Sequence, residues 1–548
     1  EEEMREALGD FQDACDNTVE IAEKCDVTLP NDIILPVIPL PEGETNESML
    51  RKEALAGLRR RYGEPLSQEV LERFEYEYSI ICDKGFSAYF LVVQEFTRWA
   101  KGNGVGVGPG RGSAAGSIIS YALDITTLDP LANGLLFERF LSLERTEMPD
   151  IDIDFDEYGR FKVIDHLREF YGTEKVAHVI TYGSMKAKQA IVDATRVFDY
   201  PIYLGANISK MVSDKPGTTL RGTLGIHENE KRNRDEANPE LIKAYAENAV
   251  IKEILDAALE LEDSIRGEGV HASAVIICRD PVDDHVPVKV DTKGGVIITQ
   301  YDGKYNAELG LLKMDFLGLR TLNVLMKAKE YVKRNHGVDI DLDNIPLDDP
   351  KVFELLQRGD TSGVFQVESD GMTQLIRSMR PDRYSDIVAT IALFRPGPLN
   401  SGMASDFVKS KTGKRKTSYY DERLKDILEE TYGTMVYQEQ VMLISMRMSG
   451  FTAGESDRVR KAMAKKDISL MKTKVQTWAD GTQETMQEHW LNGAERNGYS
   501  RKIAQKIWDD VEKFAEYAFN KSHSAAYAIL VIQTAWIKAH YPMEYMAA

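Results

Sequence analysis

Residues 148–156 read MPDIDIDFD, the densest run of chemistry-bearing side chains in the sequence. In an extended strand successive side chains alternate between faces. Asp150, Asp152 and Asp154 then share one face, and Ile151, Ile153 and Phe155 share the other. Three carboxylates on one face repel one another unless cations neutralise them. An all-oxygen donor set of this kind suits Mg²⁺. A D-x-D-x-D-G calcium loop is excluded, because Phe155 stands where its glycine belongs and Phe161 where its glutamate belongs. The competing explanation is an edge strand kept from aggregating by its charge.

A second run, GLLKMDF at 310–316, puts Lys313 and Asp315 on one strand face and Met314 and Phe316 on the other. Next to the first strand, Asp315 would complete a three-carboxylate site for two metal ions, which stabilise the attacking and leaving oxygens of a phosphoryl displacement. Spacing alone does not make the two strands neighbours. Between residues 105 and 117 runs VGVGPGRGSAAGS. Gly108, Gly110 and Gly112 allow close backbone approach, and Ser113 with the following helix start offers N–H donors to phosphate. No Gly-Lys-Ser/Thr follows, which excludes a Walker A loop. Residues 94–100 before it read as helix, which argues against a dinucleotide fingerprint despite Gly110, Gly112 and Ala115. A tight structural turn also fits.

Positive charge is local. The net charge is −20, and residues 1–26 carry ten acids against two bases. Residues 458–474 carry seven bases against one acid, and Lys409, Lys411, Lys414, Arg415 and Lys416 form a second cluster. An acidic protein with basic strips can still track a phosphate backbone, and a solvated helix face explains any single strip equally well. Arg139 and Arg145 flank the approach to the carboxylate run. Arg395 lies in the rigid turn LFRPGPLN, Arg460 and Lys461 on a helix with Lys465 and Lys466 a turn later, and Lys521, His523 and Tyr527 in FNKSHSAAYA. His523, Tyr437 and Gln366, taken singly, read as satisfied buried polar groups.

The elements that must position these residues are legible in outline. The 548 residues suggest three or four domains. With 43% apolar and 28% charged residues, neither disorder nor a fibre is in question. No run approaches 18 apolar residues, the first ten lack the pattern of a signal peptide, and the four cysteines lack CxxC spacing, which suits a reducing cytoplasm. An acidic helix is expected over 1–26, a proline-rich connector over 29–43, helices from 49 to 102, and strands near 148–155, 273–279, 295–301 and 310–316. A helix is expected near 160–171 and a solvated loop at 227–240, and after Gly318 almost everything reads as helix. The first residue is not Met and the last segment is apolar, so a stretch of a longer protein is expected.

GPGRGSAAGS, FERFL, MPDIDIDF, LLKMDFLGLRTL, LFRPGPL, YQEQV and FNKSHSAAYA occur in this order, and so the chain resembles the C-family polymerases, the bacterial replicative DNA polymerase III α subunits. The resemblance runs through essentially the whole chain. It implies an α+β multidomain polymerase core with a nucleotidyltransferase palm like that of polymerase β and largely helical thumb and fingers. It divides the chain into the end of a PHP domain (1–26), palm (27–181 and 271–320), thumb (182–270) and truncated fingers (321–548). On the family pattern Asp150, Asp152 and Asp315 are the catalytic, metal-holding aspartates for two Mg²⁺ ions, with Asp154 outside that trio. Gly112, Ser113, Arg139, Lys313, Arg460 and Lys461 match positions near the incoming triphosphate. Lys461 stands where the family often has arginine, which keeps the charge but loses the bidentate fork. Arg395, Lys465, Lys466, Lys521 and His523 are weaker DNA-binding candidates. The implied partners are primer–template DNA and dNTPs, with a sliding clamp and other replisome subunits reached through regions absent from this chain, in the cytoplasm at the nucleoid and without a membrane. A two-metal nuclease or phosphohydrolase, or a non-catalytic DNA-binding fragment, are the alternatives.

Overall fold

The computed structural model describes residues 2–28, 32–142, 148–291, 295–465, 467–514 and 517–548. The chain divides into two compact units. The smaller comprises Glu1–Asp32, Ala177–Ala272 and Val282–Leu311; the larger comprises Ile33–Val176, Ser273–Pro281 and Leu312–Ala548. The principal strands are β1 (Ile153–Phe155), β2 (Val176–Ser184), β3 (Ile265–Ile277), β4 (Val288–Val290), β5 (Ile297–Thr299) and β6 (Leu312–Gly318).

In the larger unit β1 runs parallel to β6, with Ile153 opposite Phe316 and Phe155 opposite Gly318. The end of β3 runs antiparallel to β6, with Ala274 opposite Asp315. The expected alternation holds along β6: Leu312, Met314 and Phe316 are buried, while Lys313 and Asp315 are half-buried. The carboxylate strand is shorter than the 148–155 expected. Pro149 has no N–H to give a ladder, and the Ile151 N–H donates to the Tyr89 hydroxyl at 2.9 Å, so regular pairing starts at Ile153. On its free edge β1 is lined by the glycine-rich segment: Gly108 N–H donates to Asp154 O at 2.8 Å, and Asp156 N–H to Gly106 O at 2.9 Å.

The apolar faces of these strands rest on three helices, Asn46–Tyr62, Gln68–Asp83 and Ser87–Gly102. The first two start with side-chain caps, Thr45 accepting from Ser48 N–H and Ser67 from Val70 N–H. Leu50, Ala54, Leu58 and Phe74 join Ile151, Ile153, Phe155, Met314 and Phe316 in one core, where the Phe155 and Phe316 rings stack at 5.6 Å. The expected helix is present at Gly159–Tyr171.

After β6 the larger unit is nearly all helical. One core surrounds the buried helix Lys521–His540, against which Pro350–Arg358 and Tyr384–Leu393 pack. Another gathers Gln438–Ser449, Ala453–Ala464, Met486–Arg496 and Arg501–Phe514. Among the described residues after β6 the strands are a short antiparallel pair, Gln476–Thr477 with Gln483–Glu484, in line with the expectation that almost everything here is helix.

In the smaller unit β5 pairs parallel with β2 and antiparallel with β4. Its helical core includes Ala190, Ile191 and Ala194 packed with Ile254, Leu255 and Ala258. The single helix expected over 1–26 is two, Glu2–Ala7 and Gln12–Lys24, broken beside Gly9, a poor helix residue. The loop expected at 227–240 contains an exposed helix, Glu230–Glu236. Asn229 caps it by accepting from Lys231 and Arg232 N–H, so its start is fixed locally without burial. Among the described residues no helix is long and apolar enough to cross a membrane.

Candidate active site

Pairing of β1 with β6 brings the two carboxylate-bearing runs together. Asp152 directly precedes Ile153, whose partner is Phe316, and this sets Asp152 level with Asp315. The buried Tyr89 lies beneath them: burial first, then the charges of Asp150, Asp152 and Asp315, push its hydroxyl pKa far up. The carboxyl of Asp152 is pushed up to about 6, chiefly by burial and then by Asp150 and Asp315, against the pull of Arg111 and Lys313. Asp150 is exposed. Asp315 accepts from Ser273 Oγ at 3.2 Å and is ion-paired with the Lys313 ammonium. Asp154 sits apart from the trio. Its side chain is 2% exposed and accepts from Arg111 Nη1 and the Tyr527 hydroxyl, both at 3.1 Å. Burial raises its pKa, and those two partners oppose the rise.

The donor chemistry fits Mg²⁺. Asp152 is held up in pKa by burial and then by two neighbouring carboxylates, so added positive charge would be favoured there, and all the cluster's donors are oxygen. In the arrangement present Lys313 covers Asp315, and among the described residues no three His, Cys, Asp or Glu side chains converge as a ready metal cage.

The glycine-rich loop is anchored at both ends. Gly108 lies so close to β1 that a Cβ there would stand 3.0 Å from the Asp154 Cβ. Gly112 has φ +63° and donates its N–H to His523 Nδ1 at 3.3 Å. Ser113 follows, half-buried, and its carbonyl accepts from Gly116 N–H. The expectation that the next helix start is free for phosphate fails. The N–H groups of Ile118 and Ile119 donate to the buried Glu77 carboxylate at 3.0 and 3.3 Å, which also accepts from Ser117 Oγ and pairs with Arg73 at 2.6 Å. An internal anion already occupies that helix terminus.

The basic candidates separate by their partners. Arg139 Nε donates to Gln438 Oε1 at 3.0 Å, and Arg139 stands near the buried Glu439. The helix Ala453–Ala464 packs beside the Phe137–Arg139 turn; there Arg460 and Lys461 both bind Asp457, at 2.7 and 2.9 Å. Lys465 is exposed at the end of this helix, and Lys466 and Arg145 lie outside the described residues. Arg395 is turned inward, donating to Ala392 O and Tyr517 O and lying 4.3 Å over the Phe519 ring. Lys521 donates its backbone N–H to Glu439 and its ammonium to Glu430. Burial, then the Arg111 charge, push the imidazole pKa of His523 down to about 4. In the other basic cluster Lys411 is consumed by Asp382 and Asp386, and Arg415 by Asp406.

Residue-by-residue reading of the sequence missed Arg111, Gln438 and Ser273. An arginine between two glycines, GRG, was the one visible signal for Arg111. Gln438 and Ser273 carry none, because their roles come from segments far away in sequence.

A mixed sheet bearing a carboxylate cluster beside a glycine-rich loop, carried among helical bundles, has the make-up of a nucleotidyltransferase-like domain within a larger α/β core. Two family models match: the bacterial DNA polymerase III alpha NTPase domain over residues 48–318, and the bacterial DNA polymerase III alpha subunit finger domain over residues 321–486. The chain belongs to the bacterial DNA polymerase III α-subunit family. Among its relatives, the DNA polymerase III subunit alpha of Aquifex aeolicus (strain VF5) is 44% identical over 553 residues, 97% of this chain and 46% of the relative. That of Escherichia coli (strain K12) is 44% identical over 567 residues, 100% of this chain and 47% of the relative. That of Thermus aquaticus is 40% identical over 612 residues, 100% and 48%. The chain thus spans about half the length of these relatives.

Proposed function

We propose that this chain is the core of a DNA-directed DNA polymerase of bacterial chromosome replication, transferring nucleotides from dNTPs to a primer 3′-hydroxyl under template direction. The observation that carries the reading is the meeting of Asp152 and Asp315 on paired strands, with Asp150 close enough to raise the Asp152 pKa. Asp150, Asp152 and Asp315 would hold two Mg²⁺ ions, which when bound supply the charge that activates the hydroxyl and neutralises the pyrophosphate. The chain's own contribution is positioning and electrostatics. Gly112 and Ser113 present a loop that lets a triphosphate approach the backbone. Lys313, Arg139, Arg460 and Lys461 supply cations to its phosphates, each exchanging its present carboxylate or amide partner for a phosphate oxygen. Lys465 and Lys521 meet the template–primer backbone, and Arg395 and His523 shape that surface from within; Lys466 is assigned to the same role on the family pattern alone.

Residues 27–181 and 271–320 are assigned to the palm, 182–270 to the thumb, 321–548 to the fingers, and 1–26 to the end of a PHP domain. The partners are primer–template DNA and dNTPs, with clamp and replisome contacts lying in other parts of the parent protein, in the cytoplasm at the nucleoid. The test is extension of a labelled primer on a template with Mg²⁺ and dNTPs, beside Asp152→Asn. A template-directed ladder that the variant loses supports the polymerase. Primer shortening would replace it with a two-metal nuclease.

A further inference from the structure

Asp154 is the acid of the strand that the proposed metal set leaves unused, and it is buried to 2% exposure. A buried carboxylate needs a counter-charge, and Arg111 is the one provided. Arg111 Nη1 lies 3.1 Å from Asp154 Oδ1 and donates to the Tyr527 hydroxyl oxygen at 2.5 Å; the hydroxyl in turn donates to Asp154 Oδ2 at 3.1 Å. Three groups thus close a triangle. The same guanidinium has a second carboxylate within reach: its Nε is 4.0 Å from Asp152 Oδ2. A modest rotation of the side chain would set its fork on Asp152, where it would compete with a divalent cation for the same lone pairs.

Tyr527 decides between the two positions. Its ring is fixed in the buried helix Lys521–His540, edge-on to Phe365 at 5.4 Å and against His523 at 4.2 Å. Its hydroxyl therefore has one place to be. The neighbouring Gly112 N–H to His523 Nδ1 bond ties the loop bearing Arg111 to the same helix. We infer that Tyr527 is a positioning residue which, with Asp154, holds Arg111 off Asp152 and keeps the metal-holding face open. The inference rests on the proposal that Asp150, Asp152 and Asp315 take Mg²⁺.

The test is Mn²⁺ binding to the whole chain, followed by electron paramagnetic resonance without nucleotide or DNA. Tyr527→Phe removes one oxygen and leaves the ring; it weakens Mn²⁺ binding by about tenfold or more, because the released guanidinium repels the bound ion and competes for the Asp152 lone pairs. Arg111→Gln acts in the opposite direction and binds Mn²⁺ at least as tightly as the parent chain. Tyr527→Phe with Arg111→Gln returns to the Arg111→Gln level. Unchanged binding in Tyr527→Phe, or weakening in both single variants, overturns the inference, the second outcome marking a merely structural role. Should Tyr527→Phe fail to fold, Asp154→Asn carries the same expectation. Asp152→Asn separates the two readings: if the parent chain takes up no Mn²⁺, or Asp152→Asn takes up as much, the metal site itself is refuted and the Tyr527 role falls with it.

Discussion

Arg139 Nε donates to Gln438 Oε1 at 3.0 Å, and Gln438 Nε2 donates onward to Ala518 O at 3.3 Å, so one amide joins three segments, the first two 299 residues apart. The guanidinium proposed to meet a triphosphate is therefore aimed by a side chain on a helical segment. Gln438→Ala leaves Arg139 charged but removes one of the partners that aim it. The expected loss is about 1.5–3 kcal/mol, the worth of one hydrogen bond to a charged group. It should appear as a rise of roughly tenfold or more in the dNTP KM with little change in melting temperature. Steady-state primer extension checks this, and an Arg139→Ala, Gln438→Ala cycle should be clearly non-additive.

Asp152 is ionised at neutral pH at a cost. Its folded pKa is about 6, above the ordinary carboxylate value. The folded chain thus holds a proton that the unfolded chain releases earlier, and stability falls as pH rises from about 4 through 6. Asp152→Asn escapes that cost. Without divalent ions at pH 7.5 the variant should be the more stable, by about 2 kcal/mol, with the advantage gone near pH 4. Mg²⁺ should raise the melting temperature of the parent chain far more than that of the variant, and a chelator should reverse the rise. Thermal unfolding at several pH values, with and without Mg²⁺, measures all three.

His523 gives the opposite slope. Its imidazole pKa is about 4 in the fold against an ordinary 6.5. Between those values the unfolded chain binds a proton that the folded chain refuses, so acidification from pH 7 towards 4 lowers stability. The contribution reaches about 2 kcal/mol near pH 4.5. His523→Asn keeps an acceptor for the Gly112 N–H and should flatten that part of the profile. Parallel curves for parent and variant from pH 7 to 4.5 would refute the assignment.

Glu77 is fully buried and serves Arg73, Ser117, Ile118 and Ile119 together. Glu77→Ala leaves the half-buried Arg73 guanidinium without its carboxylate and uncaps the helix Ile118–Ala122. Such a loss costs about 3–5 kcal/mol. A melting temperature within 1–2 °C of the parent's, at roughly that precision, would contradict the network's importance.

The two-faced character of β6 was readable, because one buried face forces alternation whatever the partner. So was the helical character of 49–102, whose apolar stripes are local; the division into three helices and the Thr45 and Ser67 caps emerged only in the structure. The length of β1 was not, since the Tyr89 hydroxyl that takes the Ile151 N–H comes from another helix. The identities of Asp150, Asp152 and Asp315 as a set came from motif order; their meeting depends on strand pairing across more than 150 residues, which no local pattern encodes. Which cations of the basic strips are already paired was legible only in part. Lys411 answers to Asp382 and Asp386, far from it in sequence, although Arg460 has its partner Asp457 three residues back, in plain view.

The bond from Tyr527 to Asp154 spans 373 residues. A ribosome adding about 5–20 residues per second needs roughly 20–75 s to travel that far. During that interval the carboxylates of β1 have been made and Arg111 has been made, while the hydroxyl that parts them has not. A growing chain therefore passes through a stage in which Arg111 and the acids of β1 exist without the hydroxyl inferred to hold Arg111 on Asp154, and any metal uptake that depends on that hydroxyl would come late in synthesis.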